Sequence, residues 1–126
     1  MGDKMTDYAK EIKTIFCDID GVIFKHCGDL TITYDQGGKL LLGVTDKFKE
    51  WAFKGYKIIL ITGRPESMRE FTKKQLENAG LFYDQLIMGL PRGERVVIND
   101  RKPNSHIPTT KAIDLERNKG LENVDI

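Results

Sequence analysis

No apolar run in these 126 residues approaches the ~20 that a helix needs to cross a bilayer, so a membrane-spanning protein is not expected. The opening stretch, MGDKMTDYAKEIK, lacks the apolar centre of a secretory signal, and a cytoplasmic location is the expectation. Cysteine is scarce: Cys17 and Cys27 have no Cys-x-x-Cys spacing, which argues against a zinc framework, and a reducing compartment argues against a disulfide. His26 beside Cys27 reads as a solvated loop histidine. Excess charge of one sign is missing too. With 20 basic and 19 acidic residues and 9% aromatics, nothing global pulls the chain toward nucleic acid. Internal repeats and low-complexity tracts are absent, and the length suits a single domain over 1–126.

What is present is an alternation of strand-like and helix-like segments, which predicts an α/β fold with a parallel sheet flanked by helices. Residues 12–19 read as a first strand. A loop or small hairpin runs on to about residue 42, where Thr31-Ile32-Thr33-Tyr34 and Leu40-Leu41-Leu42 flank the turn signal Asp35-Gln36-Gly37-Gly38; it forms a flap beside the strand's end. Thr45 is the expected N-cap of a helix through Lys54, with Phe48, Trp51 and Ala52 as its apolar stripe and Gly55 as its stop. Residues 56–62 make a buried second strand. Pro65 is placed at the first position of a second helix, which presents Met68, Phe71, Leu76 and Ala79 to the core before Gly80. A third strand is expected at 85–88 and a fourth at 95–98, with a weak fifth element near 111–115 and a loose tail from Glu116.

Two acids stand out against this background. Asp18 and Asp20 interrupt an otherwise apolar stretch, Ile15-Phe16-Cys17 before them and Gly21-Val22-Ile23-Phe24 after. Acidic residues are poor strand formers and expensive to surround with apolar groups, so a bound cation or a reaction is the expected compensation. Residues i and i+2 of a strand project to one side, and Gly21 offers a bend that re-aims the second carboxylate. Thr62-Gly63-Arg64 ends the second strand and Asn99-Asp100 the fourth. Carboxyl ends of parallel strands share one edge, where open α/β sheets bind ligands. Carboxylates gathered there repel without a hard cation, and oxygen donors favour magnesium. Thr62 adds a hydroxyl, and the turn after it adds backbone N–H donors suited to a phosphate. Phosphoryl transfer is the chemistry these parts suggest.

The residues that carry this argument also resemble the haloacid dehalogenase superfamily, and within it the magnesium-dependent phosphatases. FCDIDGVIF at 16–24 is similar to the first motif, ILITGR at 59–64 to the second and VVINDRKP at 96–103 to the fourth. The resemblance implies that Asp18 is the nucleophile of an aspartyl-phosphate and Asp20 the acid/base, with Thr62 on the phosphoryl oxygens. It implies magnesium held by Asp18, the Asp20 backbone carbonyl and Asp100. The third motif, a lysine or arginine beside the nucleophile, departs from the pattern. No lysine occurs between Met88 and Arg95, and Arg92 is chosen for the role, with Arg95 and Lys102 as competitors. Gly63, Arg64 and Lys102 are the expected substrate contacts, although Arg64 could equally pair with Glu66 or Glu70.

Only 41 residues separate Asp20 from Thr62 and 29 separate Thr62 from Arg92, so no substantial cap domain fits in either interval. An uncapped site either admits large substrates or closes against a neighbouring subunit of a homo-oligomer. The short chain with its TGR and INDRKP segments resembles small phosphatases of surface-polysaccharide and nucleotide-sugar functions, which implies a sugar phosphate as substrate. A polynucleotide-end phosphatase is the alternative that keeps the chemistry. A non-catalytic binding or regulatory protein is the alternative that abandons it.

Overall fold

The computed structural model describes residues 11–29, 33 and 38–126. Three short parallel strands form its sheet in the order β1-β2-β3: β1 (Thr14–Asp18), β2 (Lys57–Ile61) and β3 (Gln85–Ile87). Helix α1 (Val44–Phe53) connects the first two, and a 3-10 turn (Glu66–Met68) running into α2 (Arg69–Asn78) connects the second pair. Among the described residues no helix is long and apolar enough to cross a membrane. The architecture is a small α/β one, as the alternation of periods predicts.

The first two strands form where β-branched and aromatic residues concentrate, and α1 forms where apolar residues recur at helical spacing. Val44, Phe48 and Trp51 lie on one face of α1 and are buried against Ile19, Ile23, Ile58 and Leu60. The rings of Phe48 and Trp51 meet at 5.3 Å with a 46° tilt, a geometry aromatic pairs favour. Gly43, in a left-handed conformation, caps α1, and Thr45 makes no capping bond. Pro65 likewise sits one place outside the helical turn, as the N-cap of Glu66–Met68. In α2, Thr72 and Leu76 are one turn apart and both buried, so a polar group shares the core-facing stripe. Asp84 extends the sheet's ladder: its N–H donates to the Ile58 carbonyl, and its carboxylate accepts from the Ile58 N–H, each at 2.8 Å.

The hairpin expected across residues 31–38 lies outside the described residues, except for Thr33 and Gly38. The flap's stem is closed by backbone bonds to the turn after the first strand. Lys25 N–H donates to Lys39 O at 2.7 Å and Leu41 N–H to Ile23 O at 2.8 Å, so the Leu40 stretch answers residues 23–25.

The last third of the chain departs furthest from the reading above. Residues 95–98 form no strand, and their apolar side chains face solvent: Val96 is 70% exposed, Val97 61% and Ile98 92%. No regular element forms at 111–115 either. The tail is not loose. Asn118 N–H donates to Gly21 O and Leu121 N–H to Leu42 O, and Leu121 and Val124 are buried in the core. Gly120 makes this return possible. Its φ of +79° is a left-handed value, and a β-carbon there would run into the Leu42 carbonyl.

Candidate active site

The carboxyl ends of β1 and β2 come into line because the two strands pair in parallel, with Asp18 opposite Ile61. Thr62 is therefore one residue beyond the cross-strand neighbour of Asp18. The next strand continues the row, with Ile61 opposite Ile87, and Thr62 N–H donates to Ile87 O at 3.0 Å. After Asp18 the chain turns tightly. The Ile19 carbonyl accepts from the N–H groups of Val22, Ile23 and Phe24, and Gly21 takes a φ of +91°. That turn sends the Asp20 side chain away from the strand direction, as Gly21 leads one to expect.

Asp18 lies at the mouth of this edge and accepts a hydrogen bond from Ile19 N–H at 2.9 Å. The residue is exposed at the strand's end, and partial loss of water on the protein side of its carboxyl is the main reason its pKa is raised above the ordinary value. The Ile19 N–H, Arg95 and His26 work against the rise, while the neighbouring Asp20 adds to it. Cys17, just behind, is a buried thiol pushed up to about 12, mainly by the same loss of water, and is inert as a nucleophile.

Asp20 is held by Arg64, across 44 positions of sequence. The Arg64 guanidinium forks onto it, Nε to Oδ2 at 2.9 Å and Nη2 to Oδ1 at 2.7 Å. Its Nη1 donates to Thr72 Oγ1 at 3.0 Å and to Gln75 Oε1 at 2.8 Å, and the guanidinium carbon lies 6.0 Å from the Phe71 ring centroid. Arg64 is only 1% exposed, so it is a buried cation whose charge and donors are answered from α2 and the β1 turn. Neither Glu66 nor Glu70 is its partner: Glu66 pairs with Arg69 at 2.8 Å. The side chain expected to meet substrate thus faces the protein and orients a carboxylate.

Thr62 is buried, and its hydroxyl accepts from Arg64 N–H at 3.1 Å, which leaves the hydroxyl proton for a further acceptor. Gly63 is exposed in the same turn, which is stitched to the loop after β3 by Gly89 N–H to Arg64 O at 2.8 Å and Leu90 N–H to Thr62 O at 3.1 Å. The helical turn that follows opens on Glu66, an acid where a phosphate cradle would favour none.

The three candidates for the cation beside Asp18 separate clearly. Arg92 lies in an exposed loop. Lys102 Nζ is 2.8 Å from Glu11 Oε1, at the opposite end of β1. Arg95 is the one whose charge reaches Asp18, with its guanidinium braced by the carbonyls of Pro91 and Gly93 at 3.0 and 2.8 Å. His26, set aside on sequence grounds, also reaches Asp18, and its backbone N–H is pinned by Asn118 Oδ1 at 2.7 Å. Only contact between the flap and the C-terminal tail reveals it, so no local signal could have found it. Asp100 is exposed on the 95–102 segment and is not among the charges that shift Asp18. Among the described residues no group of three or more His, Cys, Asp or Glu side chains is placed to hold a metal ion.

No protein-family model and no curated protein matches this chain. A crystal structure of an MCSG target from Vibrio cholerae is similar in fold, with a TM-score of 0.51 and 19% identity over 68% of this chain and 80% of that one. At that identity the likeness concerns the fold, and it agrees with a small Rossmann-like α/β arrangement.

Proposed function

We propose that this chain is a phosphomonoester hydrolase of the haloacid dehalogenase type, dependent on magnesium and acting on a small phosphorylated metabolite such as a sugar phosphate. The observation that carries the reading is the shared edge: Asp18, Asp20 and Thr62 end two adjacent parallel strands, with Asp18 in register one residue short of Thr62. Asp18 Oδ attacks phosphorus and the ester P–O bond breaks, leaving an aspartyl-phosphate and an alkoxide that takes its proton from Asp20. Asp20 then removes a proton from water, whose oxygen attacks the same phosphorus; phosphate leaves and the Asp18 carboxylate is restored. A carboxylate has about four lone-pair sites and the Arg64 fork uses two of them, one on each Asp20 oxygen, so a remaining site serves the proton transfers. Thr62 donates to a phosphoryl oxygen, and Arg95 offsets charge that develops beside Asp18.

Among the described residues the donors do not complete a magnesium site. The Asp18 carboxylate and the Asp20 carbonyl lie at the edge, while Asp100, the expected third ligand, lies elsewhere, and magnesium takes six oxygens in near-octahedral array. No step above is routed through the ion.

Phosphate release should be measured with magnesium present, across sugar phosphates, nucleotides, 3′- and 5′-phosphorylated oligonucleotides and a small generic ester. Turnover of at least one small ester, abolished in Asp18→Asn, is the expected result. A wild-type chain that hydrolyses none of them is not a phosphatase.

A further inference from the structure

Three residues from distant parts of the chain meet over Gly21, the residue after Asp20. A β-carbon built on Gly21 would lie 3.3 Å from Arg117 Cγ, 3.7 Å from His26 Cβ and 4.0 Å from Asn118 Oδ1. We propose that Arg117 and His26 form a subsite for an oxyanion, and that the alcohol portion of the substrate carries a second negative group, a carboxylate or a further phosphate, besides the phosphoryl group that is removed. The inference rests on the hydrolase reading above and adds to it which esters the site prefers.

The tail is bent so as to lay Arg117 at this place. Asn118 N–H donates to Gly21 O at 2.9 Å, and Asn118 Oδ1 accepts from His26 N–H at 2.7 Å, so a single residue ties the tail to both the β1 turn and the start of the flap. It does this with a φ of +65°, a left-handed value that side chains other than asparagine and aspartate tolerate poorly. Gly21 itself has a φ of +91°, and the space where its side chain would stand is taken by the Arg117 stem and His26. Two adjacent left-handed turns, one on each segment, thus hold two basic side chains together across 91 positions of sequence.

Their donors are uncommitted. Arg117 is exposed, and among the described residues no carboxylate is in an ion pair with it or with His26. His26 Nδ1 accepts from Gly28 N–H at 3.1 Å, which leaves Nε2 to carry the proton of the neutral ring as a donor. A guanidinium fork beside an imidazole N–H suits the oxygens of a carboxylate or phosphate. Arg64, by contrast, is spent on Asp20, Thr72 and Gln75. Position relative to the reaction fits the same use. Asp20 gives its proton to the leaving alcohol, and Gly21 follows it by one Cα step of about 3.8 Å, so the substituents of that alcohol lie beside the Gly21 turn. His26 is also near enough to Asp18 to bear on its carboxyl. No interval of the chain is long enough for a cap, so side chains at the rim have to select the alcohol, and binding a remote charged group is how such a site gains discrimination.

The test compares matched esters on the full chain with magnesium present. 6-Phosphogluconate and sorbitol 6-phosphate differ only in a carboxylate against a hydroxymethyl group, and fructose 1,6-bisphosphate and fructose 6-phosphate differ in a second phosphate. The anionic member of at least one pair is expected to have the higher kcat/KM by about tenfold, carried by KM, and the pair that shows it identifies the group. Arg117→Met keeps the stem over Gly21 and removes the guanidinium, and should bring that ratio close to one; Arg117→Lys should restore part of it, and His26→Phe should narrow it by less. Calorimetry on Asp18→Asn, which binds without turnover, reads the same preference as affinity. Turnover of the generic ester with no anionic preference in either pair, or a preference unchanged in Arg117→Met or His26→Phe, overturns the subsite and leaves the hydrolase reading intact. Tighter binding of the anionic member that is lost in Arg117→Met, in a chain whose wild type hydrolyses no ester, supports the subsite and sinks the hydrolase reading. Absence of the preference in both turnover and binding overturns it outright.

Discussion

Residues 95–98 and 118–124 are both short and both carry branched apolar side chains, yet one stands in water and the other closes the core. Val96, Val97 and Ile98 are exposed, whereas Leu121 and Val124 are buried with Phe48, Trp51 and Ile58. The difference is one of access rather than hydrophobicity. The tail finds a slot it enters by backbone contact, Asn118 on Gly21 and Leu121 on Leu42, with Gly120 letting the two chains approach closely. The 95–98 segment has the side chains of a core strand, but its tether to β3 is too short to deliver it in the parallel sense. Burying an apolar side chain is worth about 1.5–3 kcal/mol, and that gain is available only where the chain can reach.

The contrast breaks most readily at Gly120. Gly120→Ala places a β-carbon against the Leu42 carbonyl in a left-handed conformation, and should lower unfolding stability by about 3 kcal/mol or more in chemical denaturation. An effect below about 1 kcal/mol means that the tail does not depend on the close approach. Leu121→Ala removes a buried side chain and should cost about 2–4 kcal/mol. Ile98→Ser, measured where the chain is monomeric, should change stability by less than about 0.5 kcal/mol. Near-equal costs for Leu121→Ala and Ile98→Ser would erase the distinction between the two regions.

A smaller effect, of opposite sign, is expected at Asp18. Its carboxyl pKa is raised in the folded chain, so folding favours the protonated form, and that stabilising contribution is lost as pH rises through the folded pKa. Asp18→Asn should therefore raise the melting temperature at pH 7. The gain should shrink as pH falls toward the ordinary aspartate value of 3.8, where both states are increasingly protonated. A melting temperature that drops at pH 7 would mean that the Ile19 N–H bond and the nearby positive charge outweigh desolvation.

Much of the sheet was readable in advance because local pattern and final burial agree there. Thr14–Asp18, Lys57–Ile61 and Gln85–Ile87 all fall within the predicted strands, and Thr62 ends the second. Helix starts were less legible. Gly43 and not Thr45 caps α1, because the bound tail fixes the loop before it: a β-carbon on Gly43 would come 2.5 Å from Glu122. The partner of Arg64 was not legible at all. Glu66 and Glu70 are near in sequence, but the guanidinium points inward from the β2 turn and meets Asp20, whose own turn after β1 aims it there.

By itself the sequence determined an α/β chain, two carboxylates at the end of its first strand and a threonine at the end of its second, since these depend on residue type and short-range period. Only the tertiary structure decided that Arg64 is an internal brace for Asp20, that Arg95 rather than Arg92 or Lys102 is the cation whose charge acts on Asp18, and that the tail, not residues 95–98, completes the core. Those outcomes depend on which segments the connections allow to meet, and connection geometry is a property of the folded chain, not of any local window.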